Sequence, residues 1–186
     1  MSTFYSQHDP RWSDLKLGNG SATIGSVGCL LTCCSMVLND IAQVNTTPDV
    51  LNRWMIRNKE FVNVNEIDLT ANPLVALGVK LTQPVIFCET VQAPMDVVAS
   101  ALSKGLAVIV KINFYPGVSQ MHYVRLMQVL PDDCLINDPW MLPGTGLTHL
   151  MPRYAKAEWN SPGTPILRIA IFGRVDGKVT EPKGGG

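Results

Sequence analysis

The sequence predicts an α+β fold, because helical patterns dominate its first half and β-rich runs dominate its second half. A mostly apolar helix is predicted over residues 29–39, after a loop-like N-terminal stretch rich in Gly and Ser. Asp132 and Asp133 lie between two of the β-rich runs and predict a hairpin turn, and therefore antiparallel strands. The runs predicted as strands are residues 106–114, 122–130, 135–138 and 166–172.

Three further segments carry signals for elements between these two halves. Thr47, Pro48 and Asp49 predict a helix start with a capping hydroxyl, a proline in the first turn and an early acid, and this helix should run to residue 58. A helix is also predicted over residues 94–104, with Gly105 as its C-terminal cap. Between the two, residues 66–78 predict a short helix interrupted by Pro73, and residues 79–87 predict a strand.

Length and composition predict one ordered domain. The 186 residues are 46% hydrophobic and 16% charged, and we assign residues 1–180 to a single domain followed by a flexible polar tail at 181–186. The 15 basic residues are balanced by 15 acidic ones, which gives no electrostatic support to a nucleic-acid partner. The N-terminus lacks a signal-peptide pattern, and no apolar run is long enough to cross a bilayer. We therefore expect no membrane association and a cytoplasmic location.

The cysteine pattern favours neither a disulfide framework nor a metal site. The chain has five cysteines, an odd number, and three of them (Cys29, Cys33 and Cys34) crowd one predicted helix. There is no CxxC pair, and the three histidines are scattered, so no metal and no cofactor is expected. Free thiols suit a reducing compartment.

Cys29 is the candidate nucleophile, because it follows Gly28 and opens the apolar helix. The unpaired amides and the dipole at a helix N-terminus favour the thiolate, which is the form that attacks a carbonyl. The preceding glycine would let a substrate backbone approach the sulfur. Taken alone, the residue is better explained as a small buried hydrophobe, as free cysteines often are.

His122 is the candidate base. The pattern predicts that it opens a strand beside the loop at residues 115–120, where an imidazole could face a cleft and exchange a proton with a thiol. The alternative is a half-exposed strand histidine with no chemical role. His8 and His149 are the competing histidines, and neither begins an apolar strand.

Asp138 is the candidate residue that orients the base. A hairpin turning at residues 132–133 would bring Asp138 near His122, and a carboxylate there would stabilise the imidazolium. Asp138 precedes a proline, so it is also explained as a turn residue. Asn137 is the alternative orienter, but successive strand residues face opposite sides of a sheet, so only one of the two can serve.

Four segments together resemble the C39-like group of papain-like cysteine peptidases, and they occur in the order found in that family. The segments are residues 7–12, Gly28-Cys29 with Thr32 and Met36, residues 122–124, and residues 136–140. The resemblance implies a papain-like fold, in which a nucleophile helix packs on an antiparallel sheet, and a triad of Cys29, His122 and Asp138. It also implies that Gln7 donates to the oxyanion; spacing alone describes Gln7 only as a surface glutamine. Bacteriocin-processing members carry that glutamine six residues before the cysteine, where this chain has Thr23.

The function that these expectations favour is hydrolysis of a peptide or amide bond in a peptide or protein substrate, through a thioester acyl-enzyme. Acyl transfer to an amine, or cleavage of a cell-wall peptide, would use the same residues. A binding module on a peptidase fold without activity is the alternative from another class. Because relatives that process leader peptides cleave after paired glycines, the tail ending at Gly186 could be a cleavage product, although an ordinary flexible terminus is the commoner origin.

Overall fold

The computed structural model of the chain describes residues 2–115, 118–154 and 161–175. Within these residues most helices precede an antiparallel sheet, which confirms the predicted α+β class. The tail predicted at 181–186 lies outside the described residues. The described helices are α1 (Ile24–Val27), α2 (Cys29–Val37), α3 (Pro48–Asn58), α4 (Met95–Ser103) and α5 (Met151–Tyr154).

The strands of the described residues form one antiparallel sheet with the order β1-β7-β3-β4-β5-β6, and β2 also pairs with β7. The hairpin between β4 and β5 turns at the predicted place, since the backbone N–H of Leu130 donates to the carbonyl of Asp133 at 2.8 Å. The strands are β1 (Val79–Leu81), β2 (Ile86–Phe87), β3 (Ala107–Tyr115), β4 (Val118–Val129), β5 (Cys134–Asn137), β6 (Leu147–His149) and β7 (Ile166–Arg174).

Both faces of this sheet are covered, and the pleat divides its side chains between two hydrophobic clusters. Ile109 of β3 belongs to the cluster that contains Met36 of α2. Its neighbours Val108 and Val110 belong to the other cluster, with Val98 of α4. Successive strand residues point to opposite faces, which explains why β3 is an almost continuous apolar run.

The first apolar helix is longer and less regular than its pattern predicts. α2 begins at Cys29 as expected, but after Val37 the chain continues as a π-helical turn over Leu38–Ala42. Asp40, inside this turn, accepts hydrogen bonds from the backbone N–H of Thr3 at 2.9 Å and from Nη1 of Arg125 at 2.6 Å. The π turn thus ties the N-terminal segment to the central strand β4.

The caps of the next two helices agree with the sequence in position, with one difference in chemistry. Thr47 is the N-cap residue of α3, but its hydroxyl donates to the carboxylate of Asp49 instead of accepting from a backbone amide. Gly105 directly follows Lys104, the C-cap of α4, and has a φ of 74° that a glycine adopts without strain.

The region between α3 and α4 differs from its prediction. In place of one short helix, residues 66–78 hold two 3₁₀ turns, Leu69–Ala71 and Val75–Leu77, separated by Asn72 in the left-handed conformation. The strand predicted over 79–87 is divided into β1 and β2, because Pro84 between them has no N–H to donate to a ladder. The pattern also did not predict α1, β6 or α5. In the parts of the chain described here, no helix combines the length and the apolar character needed to cross a membrane.

Candidate active site

Cys29 is the first residue of α2 and is half-buried, with its side chain facing two surface grooves. At this position its backbone N–H has no helical carbonyl to donate to, and the helix dipole favours negative charge on the sulfur. The other described cysteines are buried, and burial raises the pKa of Cys34 and of Cys134 to about 12. They are Cys33, Cys34, Cys88 and Cys134.

Gly28 is required by packing at the junction of α1 and α2. A side chain here would bring its Cβ within 2.7 Å of Cγ2 and 2.9 Å of Cα of Ile24, closer than real Cβ contacts. The sequence suggested that this glycine admits a substrate to the sulfur. The structure gives a second reason for a glycine here, because Ile24, one helical turn earlier, leaves no room for a side chain. The tight junction fixes the position at which α2, and therefore Cys29, begins.

His122 lies inside β4 and does not open it, because the strand already begins at Val118. Its side chain is only 3% exposed, and Nε2 lies 2.7 Å from Oδ1 of Asp138. Burial alone would lower the pKa of His122, but hydrogen bonds to Asp138 and to Cys29 outweigh burial and raise it to about 9. With Nε2 engaged by Asp138, Nδ1 is the ring nitrogen left for the thiol.

Asp138, and not Asn137, orients the histidine. Asp138 follows the last residue of β5 and is fully buried, and Oδ1 also accepts from the backbone N–H of Trp140 at 2.9 Å. Asn137 points away and donates to the carbonyl of Thr3 at 3.2 Å. Although burial opposes it, the hydrogen bond and the charge of His122 hold the pKa of Asp138 below its ordinary value.

Two residues that the sequence did not single out hold the second oxygen of this carboxylate. Oδ2 of Asp138 accepts from Nε of Arg153 at 2.8 Å and from the hydroxyl of Tyr154. Both donors lie on the single turn α5, where no periodic pattern marks them. Since Oδ2 is occupied, Oδ1 is held toward His122.

Gln7 is buried beside Cys29 and is not on the surface. Its Nε2 donates to the carbonyl of Gly25 at 2.8 Å, and its backbone N–H donates to the carbonyl of Pro139 at 2.8 Å. Oε1 has no hydrogen-bond partner among the described residues. Nε2 carries a second hydrogen, and Gln7 lines the same groove as Cys29 and His122. Thr23, which occupies the place of the glutamine of bacteriocin-processing members, instead caps α1.

Trp140 packs against two histidines at the edge of the site. Its ring lies edge-on to His122, with centroids 6.2 Å apart, and to His8, with centroids 4.5 Å apart. Burial lowers the pKa of His8, and the nearby charge of His122 acts in the same direction. His149 lies beside the hairpin turn, where its Nδ1 is 2.7 Å from Oδ2 of Asp133.

Two grooves meet at Cys29 and share Val27 and Met121. We name them by a residue that each contains. The His122 groove, with about 740 Å³ of empty volume, is lined by Gln7, Ser26, Val27, Cys29, Met121, His122 and Trp140. The Lys111 groove, with about 870 Å³, extends from Cys29 past Glu66 and Tyr123 to Lys111 and Arg168.

The residues expected from the sequence to form a site therefore do meet. Cys29, His122 and Gln7 line one groove. Asp138 lies behind them and is hydrogen-bonded to His122. Among the described residues, His, Cys, Asp and Glu form no group of three that could hold a metal ion. Comparisons of the chain with protein-family models, with curated proteins and with solved structures found no match.

Proposed function

We propose that the chain is a cysteine hydrolase of the papain-like, C39-like group, which cleaves a peptide or other amide bond. The observation that carries the proposal is that one buried imidazole, that of His122, is hydrogen-bonded both to the half-buried thiol of Cys29 and to the carboxylate of Asp138. A thiol, a base and an orienting group that are hydrogen-bonded in this order form a nucleophilic site.

The architecture supports the papain-like assignment. The thiol stands at the N-terminus of a helix that packs on an antiparallel sheet, and that sheet contributes the histidine and, just beyond a strand end, the aspartate. The segment that carries Gln7 reaches the same place, anchored to Pro139 beside Asp138. These are the relations that the resemblance implies for the fold.

Acylation would begin with the thiolate of Cys29 beside a protonated His122. With a pKa of about 9, His122 is an imidazolium at neutral pH, and its positive charge favours the thiolate. The sulfur attacks the substrate carbonyl carbon, a C–S bond forms, and the carbonyl electron pair moves onto oxygen. That oxygen can accept from the backbone N–H of Cys29 and from Nε2 of Gln7.

The tetrahedral intermediate then collapses to a thioester. The C–N bond breaks, and the departing amine takes its proton from Nδ1 of His122. Water next attacks the thioester while His122 accepts a proton from it, and the C–S bond breaks to release the acid and regenerate the thiolate. Throughout these steps Asp138 holds Nε2 and stabilises each imidazolium that forms.

The test is cleavage of a proteome-derived peptide mixture, read by mass spectrometry, for the wild type, Cys29→Ala and Cys88→Ala. We expect new peptide termini with the wild type and with Cys88→Ala, and none with Cys29→Ala. Cys88 is the matched control because it is a free cysteine that lines neither groove. Cleavage that survives Cys29→Ala, or that never appears, would overturn the proposal.

A further inference from the structure

The two grooves at Cys29 are not equivalent once the proposed function is accepted. His122 must give a proton to the departing amine, so the leaving group has to lie on the side of Cys29 where His122 is, in the His122 groove. The acyl part of the substrate then extends to the other side of the sulfur. That side is the Lys111 groove.

Lys111 stands on the floor of this groove without an ion pair. It lies on β3, directly opposite Arg168 of β7 in the register of the sheet, and it is half-buried. Arg168 is neutralised by Glu89, whose Oε1 lies 2.8 Å from Nε. Within the described part of the chain no carboxylate lies within ion-pair distance of Lys111.

The electrostatics of Lys111 are those of a cation that lacks a counter-ion. Burial lowers its pKa, and the charge of Arg168 lowers it further, while the charge of Glu89 acts against them. A half-buried ammonium that lines a groove and has no counter-ion there is a candidate for binding an anionic ligand.

The acids near this groove do not satisfy Lys111. Glu66 lines this groove and Asp68 lines the neighbouring pocket, and both are exposed. Glu66 accepts from Nδ2 of Asn63 at 2.9 Å, and Asp68 accepts from Thr70. Neither contributes to the pKa shift of Lys111.

The groove also has room beyond Lys111. A neighbouring small pocket shares Ile67, Lys111, Tyr123 and Arg168 with it and continues toward Phe87. Lys111 therefore lines both the groove that contains the sulfur of Cys29 and the neighbouring pocket.

We propose that Lys111 binds a carboxylate in the acyl part of the substrate, so that the enzyme prefers a peptide with an acidic residue on the N-terminal side of the cleaved bond. This inference rests on the proposed hydrolase function and adds a substrate class to it. Lys111 thus acts as a specificity-determining residue.

The experiment uses tripeptidyl chloromethyl ketones, which alkylate an active thiol with loss of chloride. The reference peptide is triglycine, and a single Glu or Gln replaces one of its three residues in turn, which gives three matched pairs. The measurement is the second-order rate of Cys29 labelling, followed by mass spectrometry. In at least one pair we expect the Glu peptide to label Cys29 about three- to tenfold faster than the Gln peptide, which is the effect of one partly desolvated ion pair. Added NaCl should reduce this Glu-to-Gln rate ratio, because salt screens the charges.

Three variants decide the assignment. Lys111→Met should bring the Glu-to-Gln ratio to about one, and Lys111→Arg should retain part of it. Glu66→Gln should raise the ratio, since it removes a repelling charge from the same groove. Lys104→Met is the matched control: Lys104 is exposed at the end of α4 and lines neither groove, so the ratio should stay at its wild-type value.

The two proposals fail in different ways. If Cys29 is labelled but Glu is not preferred in any pair, or the preference survives in a folded Lys111→Met, the inference about Lys111 is wrong while the hydrolase proposal stands. If no ketone labels Cys29 faster than the buried cysteines, the hydrolase proposal itself fails and the inference falls with it.

Discussion

The hydroxyl of Tyr154 donates to Oδ2 of Asp138, the oxygen that does not face His122. The carboxylate is therefore held from behind, by Tyr154 and by Nε of Arg153, while its other oxygen contacts the imidazole at 2.7 Å. A buried carboxylate with both oxygens occupied cannot rotate without losing hydrogen bonds to charged or polar donors. The orientation of His122 thus depends on Tyr154 of α5, which is 16 residues further along the chain than Asp138.

From this contact we predict that Tyr154→Phe lowers kcat by about three- to tenfold and leaves KM nearly unchanged, since one charge-assisted hydrogen bond is lost far from the substrate. Arg153 would still hold Oδ2, so the loss should be smaller than for Asp138→Ala. Steady-state kinetics of the three proteins measure the difference. A kcat equal to that of the wild type would mean that Tyr154 serves packing alone.

The pH dependence of activity should follow His122. Its pKa of about 9 lies above the ordinary value near 6.5, so the folded state favours the protonated ring. The stability that this contributes is fully present below about pH 6.5 and is lost as the pH rises through about 9. On the alkaline side, kcat/KM should accordingly decrease with a midpoint near pH 9. This midpoint is an apparent pKa of the coupled Cys29–His122 pair.

Cys29→Ala should shift the titration of His122 downward. The variant removes both the hydrogen bond and the charge of the sulfur, two of the influences that raise this pKa, and leaves burial to oppose Asp138. NMR of the histidine ring protons follows the titration directly, with His8→Gln and His149→Gln used to assign the three signals. A His122 titration at the same pH in wild type and variant would contradict the contact with Cys29.

The proximity of Asp138 to His122 was predictable from the sequence because the two residues lie on either side of one hairpin, whereas the role of Cys29 beside them was favoured by the family resemblance. The turn at Asp132-Asp133 and the alternation of strand residues are local patterns, and they were enough to bring Asp138 to His122. The alternation left Asn137 open as well, and the choice between the two depended on a contact of Asn137 with Thr3, which is 134 residues away.

Other parts of the site had no local signal. Arg153 and Tyr154 lie on one turn of helix with no repeating pattern, and the pairing of Lys111 with Arg168 joins β3 to a strand that is not its neighbour in the sequence. Gln7 was expected to belong to the site only on the basis of the family resemblance. Gln7 is held by hydrogen bonds to the backbone carbonyls of Gly25 and Pro139. Because backbone carbonyls are the acceptors, the identities of these two residues do not predict the contacts.

Gln7→Ala should lower kcat by about 10²- to 10³-fold, the effect of removing one oxyanion donor, with a smaller change in KM. The variant also loses the hydrogen bond from Nε2 to the carbonyl of Gly25, so we expect a modest decrease of about 1 kcal/mol in the free energy of unfolding. Measuring kcat at a temperature where the variant is fully folded separates the two effects. Gln83→Ala, an exposed control, should change neither; a kcat loss under tenfold for Gln7→Ala would exclude Gln7 as an oxyanion donor.

Asp40→Ala should destabilise the fold strongly. The carboxylate of Asp40 lies 2.6 Å from Nη1 of Arg125, and the side chains are only 16% and 6% exposed. Without Asp40 the guanidinium remains buried with a single acceptor among the described residues, the carbonyl of Met36, and Nε of Arg125 already has none. Breaking a buried ion pair by removing one partner costs about 3–5 kcal/mol.

The consequence reaches the active site through Thr3. Asp40 accepts from both the backbone N–H and the hydroxyl of Thr3, so its loss should also loosen the segment that leads to Gln7. Urea unfolding and amide hydrogen exchange of residues 3–7 measure the two effects. Asp49→Ala is the control for a partly exposed carboxylate: loss of its ion pair with the exposed Arg53 at 3.0 Å and of its hydrogen bond from Thr47 is expected to cost about 1–2 kcal/mol in total. Equal destabilisation by the two substitutions would show that the buried pair has no special role, whereas recovery of stability in Asp40→Leu/Arg125→Met would show that the cost lies in the unpaired guanidinium.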